Sequence, residues 1–253
     1  MNKYIKKIVI KLRIDKFKEK IMLKKQSLLL QNVGEEALFA FFNVANQLKI
    51  NFIPFFGTLL GIYRNHDFIK HDDDIDVVLD IRCLSDDLLI SLREHGFEFN
   101  SIFVSSDFKG CQLPMKYKGL TCDINFLYVE SDKISHIYIP LEIKNHDWTF
   151  SGELNLFRCQ DLVIPSIQEF IQYPFRNTEV MIPQNTKEIL TLFYGKSFMI
   201  PKNEKAHHDP ELNKDPLYAK SFFPLYVKSY RKIPIEFFKE SAFFDQVLRH
   251  FKF

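Results

Sequence analysis

An α+β fold is predicted for this chain: a mixed β-sheet flanked by helices, with helical extensions at both ends. Three observations carry the prediction. Residues 35–48 place Leu38, Phe41, Phe42, Ala45 and Leu48 at i, i+3, i+4, i+7 spacing, the apolar face of a packed helix. Residues 97–104, 113–117, 121–129 and 134–139 are short runs rich in β-branched and aromatic residues, the pattern of strands. Capped helical patterns at 85–96 and 185–195 stand before and after those runs, and helices interspersed with runs of neighbouring strands mark the α+β class.

The elements follow in order. Residues 1–30 mix lysine with Ile8, Val9, Leu12, Phe17, Ile21 and Leu23 and read as a partly amphipathic helix. Residues 51–56 read as a short strand, with Pro54 suiting an edge, and 58–64 as a short helix. Residues 75–79 form a β-branched strand flanked by aspartates. Ser85 caps a helix that stops at Gly96. Lys118-Gly119 forms a turn between two strands. Asn185-Thr186-Lys187-Glu188 resembles a capping box, opening a helix that ends at Gly195. After Pro201 the chain is polar, and from about residue 235 it reads as a Phe-rich helix with Phe237, Phe244, Leu248 and Phe251 on one face. Three units are expected: a basic amphipathic segment at 1–30, a catalytic domain at 31–205, and a Phe-rich helical extension at 206–253.

Composition narrows the function. The apolar fraction of 46% and charged fraction of 26% over 253 residues are those of a globular protein with a sizeable core. The net charge of +2 hides an asymmetry. Residues 1–25 carry ten basic and two acidic residues, a net of +8, and the rest carries 24 basic and 30 acidic, a net of −6. An acidic body argues against nucleic acid as a partner, while the basic head suits an anionic membrane surface. No apolar run approaches the ~20 residues needed to span a bilayer, and the N-terminus lacks a secretory h-region. A cytoplasmic protein is expected, peripheral at the inner face of the cell membrane. Cys83, Cys111, Cys122 and Cys159 share no C-x-x-C spacing and are expected to be reduced.

The chemistry concentrates in Phe56-Gly57-Thr58-Leu59-Leu60-Gly61, then Arg64, then His71-Asp72-Asp73-Asp74-Ile75-Asp76. Four acids within five residues repel one another unless a divalent cation neutralises them, and hard oxygen ligands suit Mg²⁺ or Mn²⁺. Strand alternation would put Asp72, Asp74 and Asp76 on one face and Ile75 and Val77 in the core. Gly57 at a strand-to-helix junction would let phosphate approach the backbone, and Thr58 would add a hydrogen bond. Asp123 is an isolated acid in the strand-like 120–126 segment. It is the candidate third carboxylate, either a metal ligand or the base that takes a hydroxyl proton. Arg64 would either bind phosphate or pin a loop to an aspartate. Lys70 and His71 would either contact phosphates or lie in solvent.

These motifs resemble the LicD/fukutin-like family of the nucleotidyltransferase fold. Its signature runs roughly G-[ST]-L-L-G-x-x-R, then D-x-D-[IV]-D, and Gly57, Thr58, Leu59, Leu60, Gly61, Arg64, Asp72, Asp74, Ile75 and Asp76 match it. Tyr194-Gly195 followed by Pro201 is similar to the family's C-terminal element. Lys70-His71 replaces the usual Pro-Trp before the first aspartate, and His66 stands where a glycine is usual. The resemblance implies a nucleotidyltransferase-like sheet and transfer of a phospho-substituent such as phosphocholine, glycerol phosphate or ribitol phosphate. The donor would be CDP-linked and the acceptor a glycan or glycolipid hydroxyl in surface polysaccharide or lipid-linked glycan synthesis. It implies Asp74, Asp76 and Asp123 as catalytic, Asp72, Asp74, Asp76 and Asp123 as metal ligands, and Gly57, Thr58 and Arg64 as the donor seat; Lys70 and His71, which depart from the family pattern, are candidates to join that seat. True nucleotidyl transfer to a small hydroxylated substrate is the alternative chemistry. A non-catalytic membrane-associated scaffold is the alternative class.

Overall fold

The computed structural model describes residues 3–105, 111–141, 158–201 and 230–234, and they form an α+β structure. The basic head and the amphipathic helix behind it are one element, α1 (Lys3–Leu48), about 69 Å long at 1.5 Å per residue. No break falls at residue 30. Gly34, the residue most able to interrupt the helix, sits where a Cβ would lie 2.9 Å from the Phe68 ring. The glycine thus admits Phe68 and leaves the helix intact. From Leu30 onward the helix enters the core through Leu30, Ala37, Leu38, Phe41, Val44 and Ala45. It ends at Lys49, which adopts a left-handed φ of 57°.

The described residues form a nine-stranded sheet whose main path runs β1 (Ile53–Pro54), β2 (Asp74–Asp80), β6 (Leu120–Val129), β5 (Cys111–Tyr117), β4 (Ser101–Ser105) and β11 (Tyr230–Pro234). β3 (Phe97–Glu98) also pairs with β5, so the expected strand at 97–104 is two strands along one neighbour. β7 (Ile134–Leu141) pairs with the far end of β6, and β8 (Arg158–Pro165) pairs with β7. Every pairing is antiparallel except β2 with β6. β1 is shorter than expected and occupies the sheet edge, where Pro54 leaves no ladder donor unmet. Lys118 and Gly119 both take positive φ (49° and 85°), which makes the tight turn between β5 and β6.

Three helices complete the layers: α2 (Phe56–Asn65), α3 (Asp86–Glu94) and α4 (Thr186–Tyr194). Ser85 Oγ accepts the Leu88 N–H, the expected cap. The capping box expected at Asn185 does not form. Asn185 donates its amide to the Ser166 carbonyl instead. A separate hairpin, β9 (Phe170–Phe175) with β10 (Thr178–Pro183), is held down by Arg176 at its turn. That guanidinium reaches Asp67 at 2.6 Å and Glu35 at 3.0 Å. β11 falls inside the segment expected to be a helical extension: that segment contributes a strand, antiparallel to β4. The expected Phe-rich helix from residue 235 lies outside the described residues. Cys83 and Cys122 are free thiols. Among the described residues no helix is long and apolar enough to cross a membrane.

Candidate active site

The site is built where β1 ends, α2 begins and β2 starts its parallel ladder with β6. Phe55 is extended, Phe56 takes a left-handed φ of 44°, and α2 follows at once. A non-glycine residue there is uncommon and carries strain. The junction is stitched to β2 at Asp76. The Phe55 N–H donates to the Asp76 carbonyl at 2.9 Å, and the Asp76 N–H donates to Thr58 Oγ1 at 3.0 Å. Thr58 is 2% exposed, so its oxygen serves strand β2. Gly57 is explained by a neighbour in the chain itself: a Cβ there would collide with Asp72 Oδ2. The Asp72 carboxylate therefore lies over the start of α2, where the helix dipole favours a negative charge. Gly61 serves packing too, since a Cβ would meet the Asp67 carbonyl at 2.6 Å.

Strict alternation of Asp72, Asp74 and Asp76 does not hold, because β2 begins only at Asp74. Asp72 and Asp73 precede it, and the Asp73 N–H donates to Asp72 Oδ1 at 3.3 Å. As a result Asp72, Asp73 and Asp74 each offer an oxygen within 4.8 Å of the others, a set that could hold a metal ion. Asp73 was not among the ligands expected from the sequence. From Asp74 onward alternation applies, with Ile75 and Val77 fully buried behind the sheet. The parallel register sets Asp76 directly beside Asp123, and aligned residues of paired strands share a face.

This gathering of acids is electrostatically costly. Burial, and then repulsion from the neighbouring acids, pushes Asp72 up to about 6 and Asp74 up to about 8. Burial pushes Asp123 up to about 7 against the opposing pull of Lys116. Asp76 is raised well above the carboxylate range, by burial first and then by Asp74, Asp123 and Asp72. Among the described residues none of these acids forms an ion pair. Clustered hard oxygens without a cationic partner fit a divalent ion.

Arg64 sits at the far end of α2 from Gly57. It donates to Asn65 Oδ1 at 3.2 Å and to the Phe198 carbonyl at 3.4 Å. It has no carboxylate partner among the described residues, so pinning a loop to an aspartate is not its role there. Lys70 and His71 are exposed in the turn just before Asp72. The Lys70 carbonyl accepts from Ser27 of α1 at 2.7 Å, so α1 holds the turn by its backbone.

Two further features carried weaker sequence signals. Tyr194 closes α4, and its phenol is pushed up by burial first and then by Asp72, Asp76 and Asp74, with Arg64 opposing. It is brought there by α4 packing on the α2 junction, where Phe193 meets Phe55 and Phe56 edge-on. Asn125 is 1% exposed and donates to Asp76 Oδ1 at 3.2 Å, while its own oxygen accepts from Gln112 at 3.1 Å. Its position two residues after Asp123 puts it on the same strand face, the one signal for it in the sequence.

Comparison with known families finds that the profile described as LicD/FKTN/FKRP, nucleotidyltransferase domain, matches residues 49–185, more than half of the chain. The match spans the β1–α2 junction, the aspartate strand and Asp123. Comparison with curated proteins finds no match to the chain.

Proposed function

The chain belongs to the LicD/FKTN/FKRP family, and from that premise we propose that it is a metal-dependent transferase. In this reading it moves a phospho-substituent from a CDP-activated donor to a glycan or glycolipid hydroxyl. The observation that carries the reading is the acid cluster of Asp72, Asp73, Asp74, Asp76 and Asp123, without an ion-pair partner among the described residues, with the start of α2 against Asp72. Mg²⁺ or Mn²⁺ bound by Asp72, Asp73, Asp74 and Asp76 would neutralise them and polarise the donor's phosphates. Arg64 would bind the donor's phosphates. Asp123, set beside Asp76 by the β2–β6 register, takes the proton of the acceptor hydroxyl. The acceptor oxygen then bonds to the distal phosphorus. The bond from that phosphorus to the bridging oxygen breaks, and CMP leaves with the electron pair.

A lipid-linked acceptor would bring the enzyme to a membrane. Phe17, Ile21 and Leu28 are exposed on α1 and fall on one side of it, among Lys18, Lys20, Lys24 and Lys25. Gln26 and Leu30 face the other way, onto the domain. An apolar stripe flanked by lysines suits the headgroup region of an anionic bilayer, where a lipid-linked glycan would be found.

Donor chemistry is tested by incubating the enzyme with Mn²⁺, a glycan acceptor mixture and CDP-choline, CDP-glycerol or CDP-ribitol in turn, and following phosphorus by NMR. The expected result is CMP release with one donor, abolished by chelator and lowered at least about 100-fold, the scale of losing one transition-state contact, in Asp74→Asn or Asp76→Asn. Retention of CMP on the acceptor would establish nucleotidyl transfer instead. Full turnover in chelator would remove the metal from the reading.

A further inference from the structure

Asp76 is the most tightly held acid of the cluster. Its N–H and carbonyl are bonded to Thr58 and Phe55, and its Oδ1 accepts from Asn125. Among the described residues only Oδ2 is left without a protein donor. The orientation of the carboxylate therefore depends on which end of the Asn125 side chain faces it. An amide has a donor end and an acceptor end of nearly equal shape. Turned over, Asn125 would set its oxygen against the carboxylate and repel it.

Gln112 biases the choice between the two. It lies on β5, in register with Asn125 on β6, and its Nε2 donates to Asn125 Oδ1. A donor at that point fixes the Asn125 oxygen toward β5 and so its NH₂ toward β2. We propose that Gln112 and Asn125 form a polarity lock across three strands, which holds Asp76 in its ligand orientation through a residue that touches no substrate. Both are positioning residues. The proposal rests on the metal reading given above. Nearest outer-shell partners of this kind typically change metal affinity by about 10–100-fold when removed.

The test measures Mn²⁺ affinity of the full chain by electron paramagnetic resonance titration, with thermal unfolding in chelator as the structural control. Asn125→Leu and Gln112→Met should each weaken Mn²⁺ binding about tenfold or more. Gln112→Glu is the decisive variant, because it keeps the size but replaces the donor with an acceptor at pH 8. If charge alone mattered, an added carboxylate would tighten a divalent cation. The lock turns Asn125 over and weakens binding instead, beyond Gln112→Met. Gln112 is half-buried, so its variants report even where Asn125→Leu fails to fold. Unchanged Mn²⁺ affinity in the Gln112 variants, or tighter binding in Gln112→Glu, overturns the lock while leaving the metal reading standing. Absence of Mn²⁺ binding by the wild-type chain overturns both.

Discussion

Asp72, Asp74 and Asp123 keep their protons to a higher pH than free aspartate does, with burial as the first cause. A raised value in the fold means that the folded chain binds more protons than the unfolded one, so stability falls as pH rises. The contribution of these groups is complete below the unfolded value of about 4. It is lost as pH passes through about 6 for Asp72, about 7 for Asp123 and about 8 for Asp74. In excess chelator, Tm should therefore fall between pH 5 and pH 8. Mn²⁺ should flatten or reverse that slope, because it binds the deprotonated carboxylates. Asp74→Asn should raise the chelated Tm at pH 8 and lose the Mn²⁺ response. Differential scanning fluorimetry across pH reads all three, and a chelated Tm that rises toward pH 8 would contradict the linkage.

At the scale of the element, the β1–α2 junction ties chemistry to folding through Thr58. Thr58→Val keeps the shape and deletes the acceptor of the Asp76 N–H. Leaving a buried amide unmet costs about 1–3 kcal/mol, worth several degrees of Tm in a chain of this size. Thr58→Ser should restore most of it, and equal denaturation midpoints for the two variants would show that the hydrogen bond contributes nothing. At Thr58 the motif marks a residue at a junction, and the fold adds a partner for its oxygen that the motif does not show, the Asp76 N–H. Local signals were read correctly where a few neighbouring residues decide the outcome, as at the Ser85 cap, the Lys118-Gly119 turn and the β2 strand. They failed where distant segments decide. β8, β9, β10 and β11 exist through their partners. Asp73 becomes a ligand candidate only because β2 starts one residue after it. Gly34 lies inside the continuous α1, and the Phe68 ring that fills the room of its missing Cβ comes from a segment the helix pattern does not contain.

For the molecule as a whole, α1 is bonded to the domain by the side chains of Gln26 and Ser27. Gln26 bonds Gly119 and Thr121, and Ser27 bonds Lys70. Removing residues 1–25 keeps these bonds and the buried stretch from Leu30 onward, so it should leave the domain intact while taking away the net +8 segment. Full-length protein should sediment with anionic vesicles at low salt and be released as salt rises, since each basic residue contributes on the order of 1 kcal/mol within a screening length. The truncated protein should stay in the supernatant with near-normal turnover on a soluble acceptor. Equal sedimentation of both forms would place the segment's role elsewhere. The parallel pairing of β2 with β6 has a consequence in time as well as in space. Asp76 and Asp123 are far apart along the chain and meet only through that ladder. Helix α3 and strands β3 to β5 must be laid down between them, and long-range closures of this kind come late and slowly. A nascent or damaged chain therefore carries every acid of the centre without possessing the centre. Competence arrives with that closure, so copies in which β2 and β6 have not yet paired hold no assembled centre.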